Sequence, residues 1–231
     1  LLREAAAAAP ADRRLSARRW IDRQQEMTQA LRAGSLSHIA WHNAVNRIAA
    51  DVDVAQLLAE IRRGRATQAG APFMRDPVKR NIQFIDDTGQ PRSLSYAAAT
   101  FSFSPGNVIT PHAHLHLATA HMVVEGKIRI RTFDRVADAG AALIIRPTAD
   151  IIVGTGHAAA MTTERDNVHW FTPATQTATT FDIIIDSLDP GQPDYLIQPV
   201  DPLGGQHRAD GTIVAPLLSF KESMSRYTAA L

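Results

Sequence analysis

Two rhythms of apolar positions divide this chain. In LSARRWIDRQQEMTQALRAG the apolar residues Trp20, Met27 and Leu31 recur at helical spacing, with Ser16 placed to cap the start and Gly34 to stop the turn. The stretch SLSHIAWHNAVNRIAADVDVAQLLAEIRRG continues as two more helices, broken near Asp51–Asp53. Residues 15 to 66 therefore read as helix, and Gly70, Pro72, Asp76 and Pro77 mark a linker.

From about residue 80 the period shortens to two. NIQFID, ATFSFS, HLATAHMVV, KIRIRTF, ALIIR, DIIVG, AAAMTT, NVHWFTP, TATTFDIIID and DYLIQPV follow one another with turn residues between them. Short alternating runs at such spacing predict a sandwich or barrel of antiparallel strands. The expected division is a helical extension over 1–75, a β-barrel over 76–200, and a tail over 201–231 that wraps the barrel. Exposed strand edges need cover, which the helices or a second subunit would supply, so a homodimer is expected.

Composition removes several function classes. The chain has no cysteine, so disulfides, zinc fingers and cysteine nucleophiles are excluded. No apolar run approaches the roughly 18 residues needed to span a bilayer, and no membrane partner is expected. Residues 1–80 carry fourteen basic against eight acidic side chains, and the remainder ten against fifteen. The front arginines are interleaved with acids and lack an aromatic platform, so they read as a solvated helical face and not as a nucleic-acid surface. The opening LLREAAAAAPADRR lacks an initiator methionine and has A-x-A character, compatible with a signal-peptide junction although no apolar h-region precedes it. Cytoplasmic and periplasmic locations both stay open.

The chemistry concentrates in PHAHLHLATAHMVVEGK, residues 111–127, which holds His112, His114, His116 and His121 of the chain's nine histidines. On a strand, side chains two apart share a face roughly 6.6 Å apart, so His112 and His114 can lean toward one ion, and His116 extends that face. By parity His121 shares a face with Thr119 and points into the barrel or toward the site. His38 and His42, four apart on a helix without a third ligand, read as surface residues; His157 and His207 read as solvent-exposed.

This run resembles the first motif of the cupin family: a glycine, five residues, H-x-H, and a closing glycine. Gly106, His112-Ala-His114 and Gly126 fit it; Thr119 stands where a standard cupin has a glutamate ligand. The resemblance makes His112 and His114 the ligand pair. His169, in NVHWF, stands where the second motif has its histidine, although the usual proline and glycine before it are Glu164 and Asp166 here. NVHWF and the following strand with Asp182 are similar to the thiol dioxygenase branch of cupins, the cysteamine and plant cysteine oxidases, over roughly residues 95 to 190. That branch implies a cupin barrel, three histidine ligands to Fe(II), molecular oxygen and a small-molecule thiol. Its Gly-Pro-Pro-Tyr segment is replaced by DSLDPGQPDY, which points to a different substrate.

Three neutral imidazoles leave a divalent ion one charge unit more positive than two histidines and a carboxylate would, favouring an anionic ligand. The same set suits zinc, nickel or manganese. Three readings follow: a non-haem iron dioxygenase acting on a small thiol or other small anionic metabolite, a zinc- or nickel-dependent isomerase or hydrolase, and a non-catalytic binding module. His121 is the reserve third ligand. His116 is expected deeper in the interior, Thr119 bonds a ligand or packs, and Asp182 either orients a metal-bound histidine or sits at a strand edge.

Overall fold

The computed structural model describes residues 14–69, 76–189, 191–192 and 196–228; the alanine-rich opening and Gly70 and Pro72 of the linker lie outside them. Three helices come first: α1 (Ala17–Arg32), α2 (His38–Ile48) and α3 (Val54–Arg63). Each begins where a side-chain oxygen accepts an otherwise unpaired backbone N–H, Ser16 from Arg19, Ser37 from Ala40 and Asp53 from Gln56. Just beyond α1, Gly34 takes φ +70°, a left-handed conformation that costs glycine little. A 3-10 turn at Ala49–Asp51 makes the expected break.

Strands β1 (Arg65–Gln68), β2 (Val78–Gln83) and β3 (Ala97–Phe103) follow, then β4 (Ile109–Leu115), β5 (Ala118–Glu125) and β6 (Lys127–Asp138). Next come β7 (Ala142–Gly154), β8 (Ala158–Met161), β9 (Val168–Pro173) and β10 (Ala178–Ile185). The chain closes with β11 (Leu196–Pro199), β12 (Gln206–His207), β13 (Ile213–Pro216) and α4 (Phe220–Arg226). They form two sheets, in the orders β1-β2-β3-β10-β5-β8 and β11-β4-β9-β6-β7-β13-β12. The eight strands β3 to β10 are split between the sheets as β3-β10-β5-β8 and β4-β9-β6-β7, the interleaving of a double-sheet jelly roll. The fold is thus mainly β, a jelly-roll barrel preceded by helices, the barrel of antiparallel strands that the patterning implies.

The centre of the first sheet, strands β5 and β10, is buried on both faces. Phe181, Ile183 and Ile185 of β10, with Met122 and Val124 of β5, join Trp20, Trp41 and Leu57 of the helices in one core. The alternate residues Thr119, His121 and Asp182 line the barrel cavity. This is why ATAHMVV reads as a near-continuous apolar run. The helices also protect an edge: β8 ends the first sheet, and Asn46 Oδ1 of α2 accepts the Ala160 N–H at 3.0 Å.

Three expected strands are corrected. ALIIR and DIIVG are one strand, β7, which runs through Pro147. Opposite it the register shifts between Thr132 and Phe133, which places a bulge at Thr148 of β7, and such a bulge tolerates a residue that cannot donate to the ladder. HLATAHMVV starts two residues later than expected, at Ala118. β4 stops at Leu115, and His116 takes φ 57° to turn the chain into β5.

Candidate metal centre

Strands β4 and β9 are neighbours, and their register sets His112 directly opposite His169. His114, two residues on, shares the face of His112. The ring centroids of the three histidines lie 4.7 Å (His112–His114), 4.3 Å (His112–His169) and 4.8 Å (His114–His169) apart. One ring nitrogen from each falls within 4.8 Å of the others. His112 Nδ1 stands 2.7 Å from the Thr110 carbonyl; donating its proton there leaves Nε2 with a free lone pair. That Nε2 is 2.9 Å from His114 Nε2, close to the ~3.0 Å separating two ligands at right angles and ~2.1 Å from one ion. The donor set and this spacing fit a divalent metal.

Asn167 holds the two strands in place. Its amide donates to the His114 carbonyl at 2.7 Å and to the Thr162 carbonyl at 3.1 Å, tying the loop before β9 to the end of β4. Nδ1 of His114 and of His169 are buried with no hydrogen-bond partner among the described residues.

Burial dominates the electrostatics. Desolvation pushes His112 down to about 4, against the hydrogen bond to Thr110. His114 and His169 are held well below the ordinary histidine value, first by burial and then by their neighbouring imidazoles. The unfolded chain would protonate these groups below about 6.5, so the native state carries fewer protons and loses stability as pH falls from there toward about 4. The loss is about 1.4 kcal/mol per pH unit for each such group. Urea unfolding of the metal-free protein is expected to show midpoints that fall between pH 7 and pH 5; a flat series would contradict neutral buried imidazoles.

A cavity of about 270 Å³ opens beside the three histidines, reaching Phe101, Ile109, Thr119, His121, Asp182 and Met224. His121 and Asp182 are cross-strand partners on β5 and β10. Asp182 Oδ2 comes within 2.6 Å of His121 Nδ1, although the two atoms do not meet along a hydrogen-bond direction. Asp182 is fully buried and is therefore not at an exposed edge; the histidine it faces is His121, not one of the clustered three. The His121 ring lies 5.4 Å from that of His169. Thr119 Oγ1 is buried without a partner.

Two histidines differ from expectation. His116 is not a deeper interior residue: the left-handed turn takes it off the strand face, and its Nδ1 lies 3.6 Å from Asp189. His42 is not on the surface. It is buried, with Nε2 2.8 Å from Asp166 Oδ2, and Thr148 donates to the other oxygen of that carboxylate. This contact docks α2 onto the loop before β9. His157 and His207 are exposed as expected. Sequence reasoning missed Lys79 on β2 and Phe220 and Met224 on α4, all of which line the cavity; inward parity with Phe101 on the neighbouring strand was the available signal for Lys79.

No family model matches the chain, and no curated protein matches its sequence. Among solved structures it is similar to procruciferin, an 11S globulin from Brassica napus, at 11% identity and TM-score 0.40, over 60% of this chain and 30% of that one. It is also similar to a Klebsiella pneumoniae protein with a double-stranded β-helix domain, at 13% identity and TM-score 0.35, over 55% and 88% of the two chains. An oxalate oxidase aligns at 18% identity and TM-score 0.37, over 54% of this chain and 58% of its own. The chain thus spans less than a third of the procruciferin chain. At these values the fold assignment rests on this chain's own strand order.

Proposed function

We propose that His112, His114 and His169 hold one divalent metal ion, iron(II) ahead of zinc, nickel or manganese. On this reading the protein is a non-haem dioxygenase that oxidises a small thiol or another small anionic metabolite. The observation that carries it is the convergence of three uncharged imidazoles beside a cavity of about 270 Å³. Iron bound there would supply one-electron redox chemistry toward dioxygen and Lewis acidity toward an anionic donor.

The protein's own part is to bind, orient and exclude. His112 is fixed in its tautomer by the Thr110 carbonyl, so its Nε2 needs no proton removed before it can act as a donor. The low proton affinity of all three imidazoles keeps them available as ligands in weakly acidic solution. Ile109, Leu117, Ile184 and Ile197 keep water off the apolar part of a bound molecule, while Thr119 and His121 present polar groups at the cavity wall. For a thiolate the balanced change is R–S⁻ + O₂ → R–SO₂⁻: both oxygen atoms end on sulfur, which is oxidised as dioxygen is reduced.

Elemental analysis of the purified protein comes first, with about one equivalent of metal expected. Oxygen consumption by the iron(II)-loaded protein is then followed with cysteamine, cysteine and 3-mercaptopropionate. Uptake with at least one thiol is expected. Stoichiometric metal with no uptake on any of them removes the thiol substrate and leaves the metal site standing.

A further inference from the structure

Lys79 lines the cavity with no carboxylate partner among the described residues. It lies on β2 opposite Phe101 of β3, and its Nζ stands 5.6 Å from the centre of the Phe101 ring. The Phe101 ring in turn lies 6.5 Å from His121, so Phe101 lines the cavity alongside both the lysine and the histidines. Lys79 is half-buried, and no described carboxylate lies within ion-pair distance of its Nζ. The two acids lining the cavity do not change this: Asp182 faces His121, and Asp76 at the rim has contacts of its own. Among the described cavity-lining side chains Lys79 is the one permanent cation.

We propose that Lys79 determines substrate specificity by binding the carboxylate, or an equivalent anionic tail, of a small molecule whose other end reaches the three histidines. The substrate class is then a short, largely apolar chain with an anion at each end, one of them a metal-binding donor such as a thiolate. This rests on the metal-centre reading for the inner end, but the lysine's role is separable from it. The ammonium is partly desolvated by Phe101 and the apolar wall, so its attraction for a carboxylate is screened less than at an open surface.

The test uses matched thiols that differ only in the far charge: 3-mercaptopropionate against cysteamine, and 6-mercaptohexanoate against 6-aminohexanethiol. Each is titrated into the cobalt(II)-loaded protein, with the thiolate-to-cobalt absorption band as readout. A metal centre alone prefers the acid to the amine, so the parent's preference decides nothing; its change in variants does. Lys79→Gln is expected to weaken the better-fitting acid about tenfold while leaving the amine within about twofold and cobalt content unchanged. Lys79→Arg should keep the preference, and Lys79→Glu should reverse its sign. Acid affinity unaltered in Lys79→Gln overturns the proposal, whatever the parent binds. Failure of cobalt to load would instead overturn the metal-centre reading. In that case calorimetry of the metal-free protein with the same probes and variants decides the lysine's role: loss of acid binding in Lys79→Gln supports it, and no difference overturns it.

Discussion

His169→Ala is expected to abolish binding of the proposed metal ion. Loss of a group that hydrogen-bonds a metal ligand typically weakens a metal site by about 10- to 100-fold; removing a ligand outright should weaken it by at least about 100-fold, so that dialysed His169→Ala retains no stoichiometric ion. His112→Ala should behave the same way, because its Nε2 stands 2.9 Å from that of His114, the spacing of two ligands on one ion. His42→Ala is the control. Its side chain is engaged with Asp166 and is not in the cluster, so it should retain metal even if it costs stability. Metal content by atomic emission, measured on each purified variant, reads the result. Retention by His169→Ala together with loss by His121→Ala would move the third ligand to His121, whose ring is 5.4 Å away.

The largest stability effect away from the site is expected at Phe181. Its side chain is 1% exposed and lies between the helices and the first sheet, with ring centres 6.0 Å from Trp20 and 5.9 Å from Phe84. Truncating a buried phenylalanine to alanine costs about 3–5 kcal/mol through lost burial and the cavity left behind. Phe181→Ala should therefore lower the urea midpoint substantially, since an ordinary domain is stable by only about 5–15 kcal/mol. Ile152→Ala on β7 should stay within about 0.5 kcal/mol, because Ile152 is 62% exposed. Since Phe181 points away from the cavity that Asp182 lines, whatever Phe181→Ala remains folded is expected to bind metal normally. A loss of less than about 1 kcal/mol would show that the helical layer does not depend on this contact.

What the sequence determined by itself is what short windows encode. The cap at Ser16, the stop at Gly34, the break near Asp51–Asp53 and the change of period near residue 80 each act within a few residues, and the structure has each of them. Strand parity likewise puts Thr119 and His121 on the cavity side of β5. Parity fails where the chain leaves the strand. It carries His112 and His114 but not His116, because the backbone turns left-handed there, a change that H-x-H-x-H spacing does not reveal.

Only the tertiary structure decided which strands meet. His169 stands opposite His112 because β4 pairs with β9, and His42 reaches Asp166 across 124 residues. β7 runs on through Pro147 because a bulge at Thr148, next to it on the same strand, accommodates the proline. Lys79 faces the cavity because β2 adds to the edge of β3. Alternation tells which side of a strand is apolar but not which strand lies beside it. Pairing between distant segments is selected by the joint burial of both sheets and the helical layer, against the entropy of closing the loops between them. That free energy belongs to the assembled barrel, so no single segment carries it in readable form.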